Sequence, residues 1–437
     1  MLKLNNMKKI ITFGTPEQGA VEQAKNCLDA AFAFALMADN HKGYGMPVGG
    51  VAVYEEKITP AGVGFDIACG NKAIKLNIKR IELGDDLNRF ADQIWSILSF
   101  GVGRKNATPV EHELFNSPTW EESEFLKSNP ELKKKAQAQL GTIGSGNHYV
   151  DVFVDEDDYI WVGVHFGSRG LGHTIASYFM KLAGDNVNIM DETPNTLDVN
   201  SKEGQEYLAC MELAGRYAYA GRDWVCSQVA EILGGEVIDE VHNHHNFAWK
   251  ENHNGKDYYV VRKGATPAFP GQRGFIGSCM EDTSLIVEGV DSDKSKEAFY
   301  STVHGAGRIM SRTQAAGKKK FVKQFRCGNR DCNGSLPFKY SETNEPNPKC
   351  PKCGSKTHKF KGWMQVGKGS VDFDAVKERM IKKGIILKGA GADEAPEVYK
   401  KLEEVIKEHE GTIKILHKLK PLIVCMAGGD EFDPYKD

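Results

Sequence analysis

The sequence predicts an α+β protein: a mixed α/β core carrying a small four-cysteine, zinc-ribbon-like insertion. Three observations predict it. Segments of helical apolar spacing, such as residues 201–234, alternate with β-branched and aromatic runs that abut glycine-rich turns, as in LGTIGSGNHYVDVFV and YIWVGVHFGSRGLGH. Four of the ten cysteines, Cys327, Cys332, Cys350 and Cys353, fall within 27 residues while the others are dispersed. Around them, over residues 318–362, the composition turns basic and poor in aliphatic side chains. The core is therefore expected over residues 1–317 and 363–437, with the insertion between.

Taken in order, KKIITFG reads as a short strand, followed by a helix over residues 21–37 that ends in the glycine-rich HKGYGMPVGG. VAVYEE reads as a strand leading into GVGFDIACG, and a charged amphipathic helix is expected around residues 81–98. Residues 104–139 read as surface helices and loops. EVIDEVHNHHNFAW reads as one strand, and VVRKGATPAF, GFIGSC and SLIVEGV as short successive ones. DAVKERMIKKG, APEVYKKLEEVIKEH and ILHKLKPLIVCMAGG resume a helix, helix, strand pattern. No internal repeat is present.

At 437 residues, 41% hydrophobic and 26% charged, the chain has the composition of a globular protein with ample core. Its net charge of −3 gives no global field for a polyanion, so any such site must be a local basic patch. No segment approaches the roughly 20 apolar residues of a membrane span, and MLKLNNMKKI lacks the apolar stretch of a signal peptide. A cytoplasmic, reducing location is expected, with no membrane partner, and clustered cysteines there argue for metal.

Asp66-Ile-Ala-Cys69 sits between glycines, and alone its thiol is more simply read as core. Its company changes the weight. His148 follows Asn147, His165 precedes Phe-Gly-Ser-Arg169, and His242-Asn-His244-His245-Asn246 is dense in imidazole. Thiolate, imidazole and carboxylate together suit Mn, Zn, Fe or Co, and one thiolate can bridge two ions. Within the histidine run, His245 is the ligand candidate, while His242 and His244 read as supporting or exposed. His304-Gly-Ala306-Gly307-Arg308 with Arg312 reads as a phosphate-binding turn with an imidazole facing the phosphorus, or as a helix cap without chemistry. Arg169 and the Arg262-Lys263 pair would extend an anion-binding surface, although each alone is equally an ordinary surface charge.

Together, MADNHKGYGMPVGGV, GVGFDIACG, LGTIGSGNHYVDV, HFGSRGLGH, HHNFAW, RKGATPAF, HGAGRIMSR and GADEAPEVYK resemble, in order across residues 39–399, the RtcB family of RNA-splicing ligases. The resemblance implies an RtcB-like core and a GTP- and Mn-dependent enzyme. Its substrates would be RNA ends bearing a 2′,3′-cyclic phosphate or 3′-phosphate, joined to a 5′-hydroxyl. It also implies two Mn ions, one held by Asp66, Cys69 and His148, the other by Cys69, His165 and His245. His304 would become guanylylated. Asn147 would contact GTP phosphate, Ala306 and Gly307 the ribose, and Ser284 and Tyr399 the guanine, with RNA phosphates at Arg169, Lys263, Arg308 and Arg312. Asp151 stands where the family carries glutamate. Members commonly end in Val-Cys-x-Lys-Gly with a guanine-contacting lysine; here Ala427 takes that place and Lys436 is the remaining substitute. A tRNA or ribosomal RNA substrate and an archease-like activator belong to the same expectation. The other readings are a metal-dependent RNA phosphodiesterase or phosphatase, and a catalytically altered RNA-binding relative.

The pairs Cys327/Cys332 and Cys350/Cys353 are 17 residues apart, a zinc-ribbon spacing, with His358 as a replacement ligand. The insertion's basic residues, with Phe325, Phe338 and Tyr340, read evenly as an RNA-binding surface or as a solvated stabilising clip.

Overall fold

The computed structural model describes residues 9–186, 189–329, 332, 335–337 and 347–429; Phe338, Tyr340 and Lys436 lie outside them. Among the described residues, one sheet has eight strands and another five. Along the larger, the order is Arg273–Ile276, Ser284–Gly289, Ile413–Gly428, Tyr149–Val154, Tyr159–Phe166, Gly70–Lys79 and Val237–His244, with Ile386–Ala390 also pairing Ile413–Gly428. Its central strand Tyr159–Phe166 is buried from Ile160 onward, which is why YIWVGVHF reads as a continuous apolar run instead of an alternation. The 32-residue helix Lys202–Leu233 packs across Tyr159–Phe166 and Gly70–Lys79. Ser201 caps its first turn by accepting from Gly204 N–H, and Gly234 ends it in the left-handed conformation open to glycine.

The smaller sheet runs Ile10–Thr12, Ala33–His41, Val48–Tyr54, Lys256–Lys263 and Asn246–His253. Here the expected helix over residues 21–37 is corrected. The helix is Gln18–Cys27, and Ala33–His41 is a strand, parallel to Ile10–Thr12 and antiparallel to Val48–Tyr54. That strand is buried on both faces, so its alanine-rich apolar run carries no period-two signal. The correction places Asp39 and Asn40 on a sheet, not in a loop.

EVIDEVHNHHNFAW is also two strands. Val237–His244 edges the large sheet and Asn246–His253 edges the small one, so His245 is the hinge between sheets. Its backbone N–H donates to Cys69 O at 2.9 Å, drawing the hinge onto the DIACG turn.

The insertion is a separate three-stranded sheet. Lys319–Cys327 pairs antiparallel with Thr357–Gln365, from Lys319 opposite Gln365 to Cys327 opposite Thr357, and also with Ser335–Pro337. It leaves the core directly after the helix Arg312–Ala316, and Val366 N–H and Gly367 N–H close its base on Lys318 O. No helix of the described residues is long and apolar enough to cross a membrane.

Candidate functional site

The helix Pro60–Val63, capped by the Thr59 hydroxyl, delivers the chain into the turn of residues 64–69. Ala68 takes a left-handed φ of 53° there, its N–H donating to Asn246 O at 2.7 Å while Cys69 N–H closes on Asp66 O. The turn thus brings Asp66 and Cys69 to one side. Cys69 Sγ lies 3.5 Å from His148 Nε2 and 3.6 Å from His165 Nε2, and Asp66 Oδ2 is 3.1 Å from His148 Nε2. Two ligand sets follow, Asp66/Cys69/His148 and Cys69/His165/His245, each with its donor atoms within 4.8 Å of one another. Cys69 belongs to both.

Carboxamides fix the ring tautomers. Asn71 Nδ2 donates to Phe275 O, so its Oδ1 accepts from His165 Nδ1–H at 2.6 Å and leaves the Nε2 lone pair facing Cys69. Asn246 Nδ2 donates to Asp66 O, its Oδ1 accepts from His245 Nδ1–H at 3.1 Å, and His245 Nε2 is buried without a hydrogen-bond partner among the described residues. A buried imidazole acceptor with no donor, beside a thiol and a second imidazole whose Nε2 faces that thiol, fits a divalent metal ion.

Burial, with neighbouring histidine charge, holds His165 and His245 well below their ordinary pKa, in the neutral form that binds metal. Burial likewise drives the Cys69 thiol well up, with Asp66 adding to it. A bound cation would reverse that preference. Burial also opposes ionisation of Asp66, but the hydrogen bond and charge of His148, with Arg169, outweigh it and hold the carboxyl at about 2.

Beneath the turn, Arg222 is fully buried on the long helix. Its guanidinium donates to Ala68 O at 2.9 Å, Phe166 O at 2.6 Å and His242 Nε2 at 2.8 Å, clamping the Cys69 turn to the strand end that carries His165. His242 is therefore a support. His244 bonds the Tyr219 hydroxyl and stacks on Trp249, also apart from the ligand sets.

His304 follows the strand Ser301–Val303, its ring centroid 4.6 Å from that of His245. Asp39 Oδ2 accepts from His304 Nδ1–H at 2.6 Å and from the His304 backbone N–H at 3.1 Å. Burial would raise Asp39, but the charge and hydrogen bonds of His304, with His409 nearby, hold it below its ordinary value. An ionised carboxylate on Nδ1 leaves Nε2 as the free lone pair. Gly307 has φ +75°, and a Cβ there would come 2.2 Å from Asp39 O, so this turn admits only glycine.

These residues open on one cleft of about 940 Å³, lined also by Asn147, Asp151, Arg169, Lys263, Ala306, Arg308, Arg312 and Tyr399. Ser284 stands behind its wall, its Oγ accepting from Ser278 N–H. Burial pushes the Asp151 carboxyl well up. Arg308 donates to Asp393 O, Glu394 and the Tyr399 hydroxyl, and Arg312 pairs with Glu394, so two acids already share these guanidiniums. Lys263 Nζ donates to Tyr44 O and Ala61 O, and burial brings its pKa down to about 8. Along Ile413–Gly428, Val424 and Met426 face the cleft whereas Cys425 and Ala427 pack into the core beneath.

Asp39, Asn71, Arg222 and Glu394 had no role in the sequence reading. Asp39 carried a signal, the polar triplet with Asn40 and His41. The others depend on strand register and a helix crossing.

The family model described as tRNA-splicing ligase RtcB matches residues 22–330, well over half of the chain. The chain belongs to the RtcB family. It is 34% identical to RNA-splicing ligase RtcB of Escherichia coli K12, covering 72% of this chain and 83% of that one. With tRNA-splicing ligase RtcB of Archaeoglobus fulgidus it shares 30% identity, over 94% of this chain and 91% of the other. RNA-splicing ligase RtcB homolog 1 of Entamoeba dispar is 28% identical over 92% and 81%. The RtcB match includes both ligand sets and His304 and ends just past Cys327, before the other three clustered cysteines.

Those four sulfurs lie within 4.8 Å of one another, with Cys327 to Cys353 at 3.4 Å and Cys332 to Cys350 at 3.8 Å. Sulfurs about 2.3 Å from a tetrahedral zinc ion are separated by roughly 3.8 Å, so the set fits one. Asn329 N–H points at Cys327 Sγ, and Gly354 N–H closes the second knuckle on Cys350 O. His358 is exposed, opposite Arg326, outside this group.

Proposed function

We propose that the chain is a GTP- and Mn-dependent RNA ligase, joining RNA 2′,3′-cyclic phosphate or 3′-phosphate ends to 5′-hydroxyl ends through guanylylated His304. One observation carries the reading: His304, with its Nδ1 held by Asp39, shares a cleft with the two ligand sets that meet at Cys69. His304 Nε2 attacks the GTP α-phosphorus, a P–N bond forms, and the bond to the β-phosphate oxygen breaks to release pyrophosphate. Asp39 stabilises the positive imidazole as it develops. At a cyclic phosphate end, water first attacks the phosphorus and the P–O2′ bond breaks to give the 3′-phosphate; the guanylate then passes to an oxygen of that 3′-phosphate, breaking the P–N bond, and the 5′-hydroxyl displaces GMP. Asp66, Cys69, His148, His165 and His245 would hold manganese, which would supply neutralisation of phosphate charge. Asp151 and Tyr399 contact the base, and Lys263 and Arg169 supply cationic charge for phosphates. Zinc occupies the four thiolates of the insertion as a structural ion. The proposed setting is cytoplasmic, on tRNA or ribosomal RNA ends, with an archease-like activator.

Incubation with α-labelled GTP and Mn, then denaturing electrophoresis, tests this. Wild type should carry covalent label and His304→Ala none. Label surviving in His304→Ala would sink the nucleophile; no label in either protein would favour a metal-dependent phosphodiesterase, a phosphatase or an RNA-binding relative.

A further inference from the structure

The chain's charge is distributed unevenly. Residues 318–362 hold twelve Lys and Arg against three Asp and Glu, a net of +9, which leaves the rest of the chain at −12 within its total of −3. Of these, Lys318, Lys319, Lys320, Lys323, Lys349, Lys352, Lys356 and Lys359 are all exposed. The strand register concentrates them: Lys359 lies opposite Phe325, two residues along from Lys323, so all three share one face of the ribbon. At the knuckle end, Lys349 pairs directly with Lys356 across an isolated bridge. Like charges placed directly opposite destabilise a strand pair. A small sheet that accumulates exposed positive charge in this way suits a polyanion.

Position identifies the polyanion. The ribbon starts three residues after the helix Arg312–Ala316, whose Arg312 lines the cleft, and Lys319 Nζ donates to Gly429 O at the end of the strand that carries Val424 and Met426. A nine-residue strand at roughly 3.3 Å per residue reaches about 30 Å from that base. Arg326 stacks on Phe360 with its guanidinium carbon 3.3 Å from the ring centroid, a cationic and planar surface of the kind that receives bases and phosphates. At the far end, the four-sulfur cluster ties the strand end at Cys327 to both knuckles.

We propose that the ribbon of residues 318–362 is an RNA-binding arm that grips the sugar–phosphate backbone of the strand whose end lies in the cleft, its outer end fixed by the four-thiolate metal centre. This rests on reading the cleft as a site for RNA ends. The lysines neutralise successive phosphates without reading sequence, releasing counterions as they do so.

The test is fluorescence anisotropy with a short labelled single-stranded RNA, over a range of salt, on the full chain and on the triple variant Lys323→Glu, Lys356→Glu, Lys359→Glu. Wild type should bind with strong salt dependence. The variant should lose at least about tenfold in affinity, and the slope of log affinity against log salt should fall by about 2, from three contacts at roughly 0.7 each. Self-guanylylation, which needs no RNA, should be unchanged. Equal affinity and slope in the two proteins would overturn the proposal and leave the ribbon a stabilising clip, as would a wild type that does not bind RNA. A wild type that binds RNA through these lysines yet never labels with GTP would instead sink the ligase reading alone. Cys350→Ser with Cys353→Ser should lose one zinc per chain by atomic absorption and show the same affinity loss; retained affinity after zinc loss would overturn the metal's part.

Discussion

The two cysteine-bearing sites are built on opposite physical plans. Around Cys69 every ligand is placed by the core: the DIACG turn by Ala68 and Arg222, His165 by Asn71, His245 by Asn246. Both ligand sets lie near the junction of two sheets, their rings held by hydrogen bonds to core carboxamides. The insertion has no such scaffold. Its sheet has three strands, Lys349 faces Lys356 across a bridge, and what converges at its end is four sulfurs. On the proposed reading, the Cys69 thiolate would serve chemistry at a site the core positions, whereas the four thiolates of the ribbon would supply its fold, as small metal domains require.

If the cleft is preorganised through orienting residues, removing one should cost chemistry without removing metal. Asp39→Asn is the largest such effect expected. The amide keeps the shape but can present its NH2 to Nδ1 and cannot stabilise an imidazolium, so His304 guanylylation should slow by on the order of 10²–10⁴-fold. Metal content by mass spectrometry should match wild type. Full-rate labelling in this variant would show that Nδ1 needs no carboxylate and would erase the contrast with the ribbon.

Asn71→Leu probes the same plan more gently. It removes the acceptor for His165 Nδ1–H and leaves the ring free to turn or change tautomer, so Mn affinity should fall about 10–100-fold. Isothermal titration with Mn reads this directly. An unchanged affinity would mean that strand burial alone orients His165.

How much of this was readable beforehand follows from the same contrast. Asp66, Cys69, His148, His165 and His304 sit in glycine-bounded motifs whose local sequence advertises a turn, His245 sits in an imidazole-dense run, and the structure brings all six together in one cleft. The insertion was legible from spacing and charge, and its four cysteines do converge. The helix expected through residue 37 was misread because a strand buried on both faces has no alternation to detect. The hinge at His245 was misread because a change of sheet leaves no mark on strand propensity. Asn71 and Arg222 act through contacts 94 and 154 residues away in sequence, set by register and helix crossing, which no local pattern encodes.

Lys263 gives the smallest effect and the sharpest sign. Burial, opposed only weakly by Cys27 and Asp185, brings its pKa from the ordinary lysine range to about 8. Below that pH the folded chain carries the ammonium in the cleft wall; above it the folded lysine is neutral while an unfolded one stays protonated to about 10.4. Two trends of opposite direction follow. GTP affinity should fall severalfold as pH rises through about 8, because a positive charge leaves the cleft wall. Stability should rise over the window from about 8 to about 10.4, because there the unfolded chain binds more protons than the folded one. Fluorescent GTP-analogue titration and thermal melts across that range check both. Lys263→Gln should flatten each profile, and a parallel rise or fall of the two would mean that another group controls the pH dependence.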